Sequence, residues 1–178
     1  CGDPTKPKAT YVSAESSYAL YALTGAPANA PTAISFLGGS VRADANFAFD
    51  VALDLDANGR VIVYPVRVIG GGLAGASQAT GVLARIGLQV VPGAFDALTE
   101  APKIGYDTLT TQVVSPGAVL AVELLDYQTC IYSLGGQSMF AKLTIDSVDV
   151  AGRRVYARTV LDPNCGYRGL VADSLPRN

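Results

Sequence analysis

A strict alternation of side-chain types is the feature that most constrains how this chain can fold. Across Phe47–Leu55, large apolar residues take turns with alanine and aspartate. Successive side chains of a β-strand point to opposite faces of a sheet, whereas a helix needs apolar residues three and four positions apart. The segment therefore predicts a strand with one buried face.

The sequence predicts two long hairpins. Asp56-Ala57-Asn58-Gly59 follows the first strand and predicts a type I turn that closes on a left-handed glycine, after which Val61–Ile69 returns. The return strand is apolar on nearly both faces, which indicates burial between layers. Pro65 has no amide hydrogen, so it predicts a bulge or a sheet edge at that point. Residues 139–160 predict the second hairpin.

Turn signals such as Ser115-Pro116-Gly117 and Asp162-Pro163-Asn164 recur at the spacing of a β-sandwich. Only Phe95–Ala101 shows a weak helical pattern. We expect an all-β fold, an antiparallel β-sandwich, as one domain over residues 11–178 behind an extended tether over residues 1–10. Further strands are predicted at Tyr11–Ser13, Tyr18–Leu23, Thr32–Leu37, Val82–Val91, Thr108–Val114, Ala118–Leu125, Thr129–Ser133, Met139–Val148 and Arg154–Leu161.

The composition narrows the function classes. Charged residues make up 16% of the 178 residues, against a typical value of about 25%, so part of the surface is expected to be covered by neighbours. A net charge of -2 supplies no field for binding nucleic acid. The chain has no histidine, and no nucleophile has an activating base at a suitable spacing. We therefore expect no enzyme. We also expect no membrane span; the uncharged stretch Val68–Ala84 is interrupted by five glycines.

Three cysteines permit one disulfide and leave one residue over. Cys130 and Cys165 fit two β segments separated by a strand or two, and we expect them to form the bridge. Such a bridge would close a loop of about 35 residues and stabilise the fold by roughly 3–4 kcal/mol on the loop-entropy model. A reduced cytosolic pair is the alternative.

The chain starts with Cys1-Gly2, followed by a spacer rich in proline and lysine. This terminus, and only this terminus, resembles that of a mature bacterial lipoprotein after signal-peptide removal. The resemblance implies that Cys1 carries lipid and that the protein is exported to the outer membrane surface or the extracellular space. Membrane contact would then be made by the anchor alone. An ordinary cysteine at this position is the alternative.

The segment Val68–Gly75 contains a literal G-x-G-x-x-G motif, Gly70 to Gly75, after a predicted strand. It resembles the flavoprotein and nicotinamide-binding signature, which requires a parallel βαβ unit. The strand before it is already the return arm of a hairpin, and Thr80 and Gly81 interrupt the helix that should follow. A flexible glycine-rich connection is the favoured interpretation, and a dinucleotide-dependent enzyme is the disfavoured one.

Two further motifs are candidate binding sites. Asp54-Leu55-Asp56-Ala57-Asn58-Gly59 matches the first half of a calcium loop, so Asp50, Asp54, Asp56 and Asn58 are candidate Ca²⁺ ligands. The expected position of the final glutamate is Pro65, which favours a hairpin tip with solvated carboxylates. Arg154, Tyr156 and Arg158 share one strand face, where they could hold an anion or a sugar, or form a wet amphipathic face.

Two functional classes follow from these patterns. The first is a non-enzymatic structural subunit of a surface assembly or fibre, which associates with itself or with other envelope proteins, through strand addition at Thr10–Leu23. The second is a periplasmic or surface receptor for a ligand, with a pocket near four tyrosines. These are Tyr64, Tyr106, Tyr127 and Tyr156.

Overall fold

The computed structural model describes residues 8–44, 46–69, 85–125, 129–130, 132–133 and 138–176. These residues form two antiparallel sheets of five strands each, and their one helical element is a 3-10 turn at Phe95–Ala97. The all-β prediction is therefore confirmed. The strands are β1 (Ala14–Tyr21), β2 (Ala33–Ser35), β3 (Gly39–Val41), β4 (Val51–Leu55), β5 (Val61–Pro65), β6 (Arg85–Val91), β7 (Gln112–Val114), β8 (Val119–Leu125), β9 (Ser138–Asp149) and β10 (Arg154–Asp162).

The two sheets differ in size. The larger one, hereafter the large sheet, has the strand order β1-β10-β9-β8-β6, and the small sheet has the order β3-β2-β4-β5-β7. One core cluster joins residues of both, among them Leu20 and Leu143 from the large sheet and Ile34 and Leu53 from the small sheet. The sheets therefore share a single interior, as expected for a β-sandwich.

The first predicted hairpin is β4–β5, but it is shorter than the sequence pattern implied. The strand begins at Val51 rather than Phe47, because the Asp50 carboxylate accepts the Phe36 amide at 2.7 Å and the chain bends there. The return strand ends at Pro65, and its pairing with β7 stops at Val63. Pro65 thus lies where no β7 residue pairs with it, which agrees with its missing amide hydrogen.

The second hairpin, β9–β10, is confirmed and forms the centre of the large sheet. Its two strands are the longest of the described residues, and the pairing shifts register between Tyr156 and Ala157. The turn between the strands places Arg153 at a φ of +49°. The Arg153 side chain donates to Thr24 O, after β1, at 2.6 Å and to Asp54 Oδ1, in the small sheet, at 2.9 Å.

Several predicted strand boundaries are wrong. The two strands expected at Tyr11–Ser13 and Tyr18–Leu23 are one strand, β1, which begins only at Ala14. The described residues within Thr129–Ser133 form turns instead of a strand. Thr108–Val114 is a strand only from Gln112, because Asp107 bonds the amides of Leu109 and Thr110 and turns the chain. β3 was not expected.

A second layer covers the outer face of the large sheet, the face directed away from the small sheet. Residues 94–107 and 167–172 lie over it and bury two small apolar clusters. One contains Phe95, Val119 and Val160, and the other contains Ala101, Phe140 and Leu170. Part of the large sheet is therefore buried on both faces.

Candidate functional site

The disulfide predicted between Cys130 and Cys165 is present, with an S–S distance of 2.02 Å and a Cα–Cα distance of 5.5 Å. Cys130 lies between β8 and β9, and Cys165 follows β10. The bridge therefore connects two loops at one end of the sandwich.

Asn164, next to the bridge, fastens the chain ahead of β1. Its Oδ1 accepts the amides of Thr10 and Tyr11 at 2.8 and 3.0 Å, and its Nδ2 donates to Tyr11 O and to Asp162 Oδ1, both at 2.7 Å. Asp162 is fully buried, and burial raises the pKa of its carboxyl, although the hydrogen bond from Asn164 opposes that shift. The described end of the predicted tether is thus held from Thr10 onward.

The candidate calcium ligands lie around the β4–β5 hairpin, and protein donors contact each of the three carboxylates. Asp54 accepts Thr24 Oγ1 at 2.6 Å and Arg153 Nη2 at 2.9 Å, so it joins the two sheets. Asp56 accepts the amides of Asn58 and Arg60, and these hydrogen bonds, led by that from Arg60, lower its pKa. Among the residues that the structure describes, no three acidic or cysteine side chains form a group suited to a metal ion. Calcium binding by Asp50, Asp54, Asp56 and Asn58 stays a prediction.

Arg154, Tyr156 and Arg158 lie on the outer face of the large sheet, as their spacing predicts. Arg158 pairs with Asp146 at 3.0 Å, a hydrogen bond that raises the pKa of its guanidinium, and it also reaches Glu15 at 3.5 Å. Arg154 stacks on the Tyr21 ring at 4.9 Å and donates to its hydroxyl at 2.6 Å. Of the two guanidinium groups, Arg154 is the more exposed. Binding of an anion or a sugar here stays a prediction.

Two predicted features lie outside the described residues. They are Cys1, the candidate lipid attachment site, and the glycine-rich motif Gly70–Gly75. The described strands pair only in antiparallel fashion, which is the opposite of the parallel unit that a dinucleotide site requires.

The edge of β1 is the surface feature that the structure adds to these candidates. Tyr21 donates its amide to Pro31 O at 2.8 Å, on the side away from β10. Backbone groups in an antiparallel strand alternate in direction from residue to residue, so the amides and carbonyls of Glu15, Ser17 and Ala19 also point away from β10. All three residues are exposed, and no described residue bonds to this stretch of backbone edge.

This open stretch is bounded on both sides. Ser13 pairs with the carboxyl-terminal segment, because it donates to Ser174 O at 3.0 Å and accepts the Asp173 amide at 2.8 Å. Tyr21 is occupied by Pro31 at the other end. We call the stretch between these boundaries, Glu15–Ala19, the open edge; Ser17 is its centre.

The opposite edge of the large sheet, β6, is covered. Leu88 exchanges two backbone hydrogen bonds with Asp107, each 2.9 Å long. The approach is close, because a Cβ at Gly87 would lie 2.7 Å from Tyr106 Cβ, and one at Gly105 would lie 2.8 Å from the Gln89 side chain. The two edge strands of the small sheet, β3 and β7, have three residues each. Among the described strands, β1 therefore presents the longest open edge.

A buried lysine of the large sheet binds the second layer, which covers the outer face of that sheet. Lys142, on β9, is 3% exposed, and its Nζ donates to Phe95 O at 2.8 Å and to Leu98 O at 3.1 Å. The ammonium also lies 4.4 Å from the centre of the Phe95 ring. Burial lowers the pKa of Lys142, and the charge of Asp96 opposes that shift. The lysine binds the carbonyls around the 3-10 turn, which is a structural role.

Three grooves on the described surface are open to solvent. One, beside the disulfide, is lined by residues that include Tyr11, Met139 and Cys165; the others lie near Arg42 and near Glu100. Tyr64, Tyr106 and Tyr156 line none of these three grooves, and Tyr127 lies outside the described residues.

Comparison of the chain with protein-family models, with curated proteins and with solved structures finds no match in any of the three. Within the described ranges, no helix is long and apolar enough to cross a membrane.

Proposed function

We propose that this protein is a non-enzymatic structural subunit of an exported surface assembly, and that it associates through β1. The open edge carries the proposal. It presents backbone donors and acceptors on an eight-residue strand, and such an edge is a template for pairing with another chain. The side chains along it are mostly small, and Glu15 is its only charge.

Other edges of the same molecule support this interpretation by contrast. Soluble sheet proteins protect their edges with charges, prolines, bulges, short strands or a covering segment. β6 has a covering segment, and β3 and β7 are short. β1 is long, pairs with β10 without a register shift, and has an edge between Glu15 and Ala19 to which no described residue bonds, which is the expected state for a surface that becomes covered on assembly.

Export and anchoring complete the proposal. The disulfide is of the kind that persists in oxidising compartments, and Cys1-Gly2 resembles a lipoprotein terminus. We propose that lipid on Cys1 holds the assembly at the outer membrane surface. The intact mass of native protein should then exceed that of the polypeptide by a diacylglyceryl group and an acyl chain, and Cys1→Ser should abolish the excess. An unmodified native mass would contradict anchoring while leaving assembly intact.

Sedimentation and electron microscopy of the native protein test the proposed function. We expect a mass that grows with protein concentration and regular assemblies in the images. A monomer at all accessible concentrations would contradict the structural role. A monomer that binds a small molecule with a fixed stoichiometry would instead support the receptor hypothesis.

A further inference from the structure

We propose that the occupant of the open edge is the same stretch of a second copy of this chain, paired antiparallel about a two-fold axis at Ser17. This inference rests on the proposed function and specifies its partner. In this arrangement Ser17 lies opposite the Ser17 of the second copy, and Glu15 lies opposite Ala19. Each of these pairs exchanges two backbone hydrogen bonds.

The boundaries of the open edge favour this register. Ser13, which pairs with Ser174, and Tyr21, which pairs with Pro31, each lie four residues from Ser17. A two-fold axis at Ser17 aligns the open stretches of both copies over their whole length. A register shifted by two residues would place part of one copy's open edge against a position that Pro31 or Ser174 already occupies.

The charges also fit a second copy. Glu15, Ser17 and Ala19 share the outer face with Arg154, since Tyr21 is the register partner of Arg154 and Ala19 that of Tyr156. In the proposed pair, Glu15 of one copy lies beside Ala19 of the other, within side-chain reach of Arg154. Among the described residues no carboxylate contacts Arg154. Its hydrogen bonds to Tyr156 and Tyr21 raise the pKa of its guanidinium. No like charges face each other across the axis.

The symmetry gives a direct cross-linking test. Cα atoms of a hydrogen-bonded antiparallel pair lie about 5.5 Å apart, but their side chains are farther apart than those of a non-hydrogen-bonded pair, so a short thiol-specific cross-linker is a better probe than direct oxidation. Ser17→Cys in the full chain should therefore form a covalent dimer with such a cross-linker. Val150→Cys, at the exposed β9–β10 turn, is the matched control and should not. Native assemblies without a Ser17→Cys cross-link would overturn the two-fold pairing while the structural role survives; a wild type that stays monomeric would overturn both.

A charge swap tests the same axis without a new thiol. Ser17→Lys and Ser17→Asp each place like charges opposite each other, and each should weaken self-association by more than about tenfold. Mixing the two variants should restore dimers, because opposite charges then meet. If both variants associate as the wild type does, or if mixing restores nothing, the partner is not a second copy in this register.

Proline variants separate loss of assembly from loss of the fold. The Ser17 amide faces the open edge, so Ser17→Pro removes a donor that only a partner would use. The Ser16 amide faces β10, so Ser16→Pro removes a bond within the molecule and should unfold it. A folded Ser17→Pro protein that still assembles would overturn the proposal.

Discussion

The two edge strands of the large sheet, β1 and β6, have similar lengths and opposite surroundings. β6 is bridged to Asp107 and lies under a segment that approaches so closely that Gly87 has no room for a side chain. β1 is fastened at both ends, by Ser174 and by Pro31, and no residue in the described part of the chain bonds to its edge between them. An edge covered within the chain needs no partner, whereas an edge that is positioned but uncovered is suited to one.

The largest effect is expected from Gly87→Val, which should turn the covered edge into an open one. The added side chain would meet Tyr106 and push the covering segment away, at a cost of about 3 kcal/mol in the free energy of unfolding. Chemical denaturation measures the loss, and hydrogen exchange should show faster exchange of the Leu88 amide. Val90→Thr, at a half-exposed position of the same strand, is the control. An unchanged hydrogen-exchange rate at the Leu88 amide would show that the glycine at position 87 is not needed for the Asp107 segment to cover β6.

Lys142→Ala should weaken the attachment of the second layer, residues 94–107 and 167–172, to the large sheet. The variant removes the donor to Phe95 O and Leu98 O and leaves buried carbonyls unsatisfied, which should cost about 2–3 kcal/mol. Lys103→Ala changes an exposed lysine in the same layer and should cost little. Thermal and urea unfolding of both variants give the comparison, and equal stabilities would mean that Lys142 does not support the layer.

Asn164→Ala should free the amino-terminal end of β1 without altering β6. The side chain makes four hydrogen bonds that hold Thr10, Tyr11 and Asp162, and their loss should cost about 2 kcal/mol. Hydrogen exchange at Thr10 and Tyr11 should rise, while exchange at Leu88 stays as in the wild type. Asn58→Ala, at an exposed turn, serves as the control. A global rise in exchange would show instead that this contact stabilises the whole domain.

The smallest effect is expected from the pH dependence of Asp162. Burial raises its folded pKa above 3.8, so the folded state keeps the proton to a higher pH than the unfolded state. Its contribution to the free energy of unfolding is therefore greatest below pH 3.8 and falls as the pH rises through the folded pKa. Asp162→Asn should remove this fall. The free energy of unfolding of the wild type minus that of the variant should decrease from acidic to neutral pH. An increase of this difference would contradict a raised pKa for Asp162.

Much of the architecture could be read from local pattern. The period of two across Phe47–Leu55 and the Asn58-Gly59 turn predicted the β4–β5 hairpin, and a similar pattern predicted β9–β10. The cysteine count and spacing led to the Cys130–Cys165 bridge. Several strand boundaries were predicted wrongly, because hydrogen bonds to side chains, such as that from the Phe36 amide to Asp50, shorten strands that the pattern alone would extend.

The candidate site was only partly predictable. The sequence pointed to Thr10–Leu23 as a segment for strand addition, and β1 lies within it. The contact between Ser13 and Ser174, which delimits the open edge on one side, was missed, because the two residues lie near opposite ends of the chain and nothing near either one signals the contact. Gly87 was the one available signal for the covered edge, since a glycine inside a strand often marks a close backbone approach.

The sequence by itself determined that the chain forms antiparallel strands and where its main turns fall, because those properties depend on side-chain alternation and on short-range geometry. Its three cysteines limited the disulfide to one pair. Only the tertiary structure decided that Lys142 is buried, that Asp107 covers β6 and that none of the described residues bonds to the β1 edge between Ser13 and Tyr21. These outcomes depend on backbone groups of segments far apart in the chain. Their pairing is set by how the two sheets and the covering layer pack, and no local pattern encodes it.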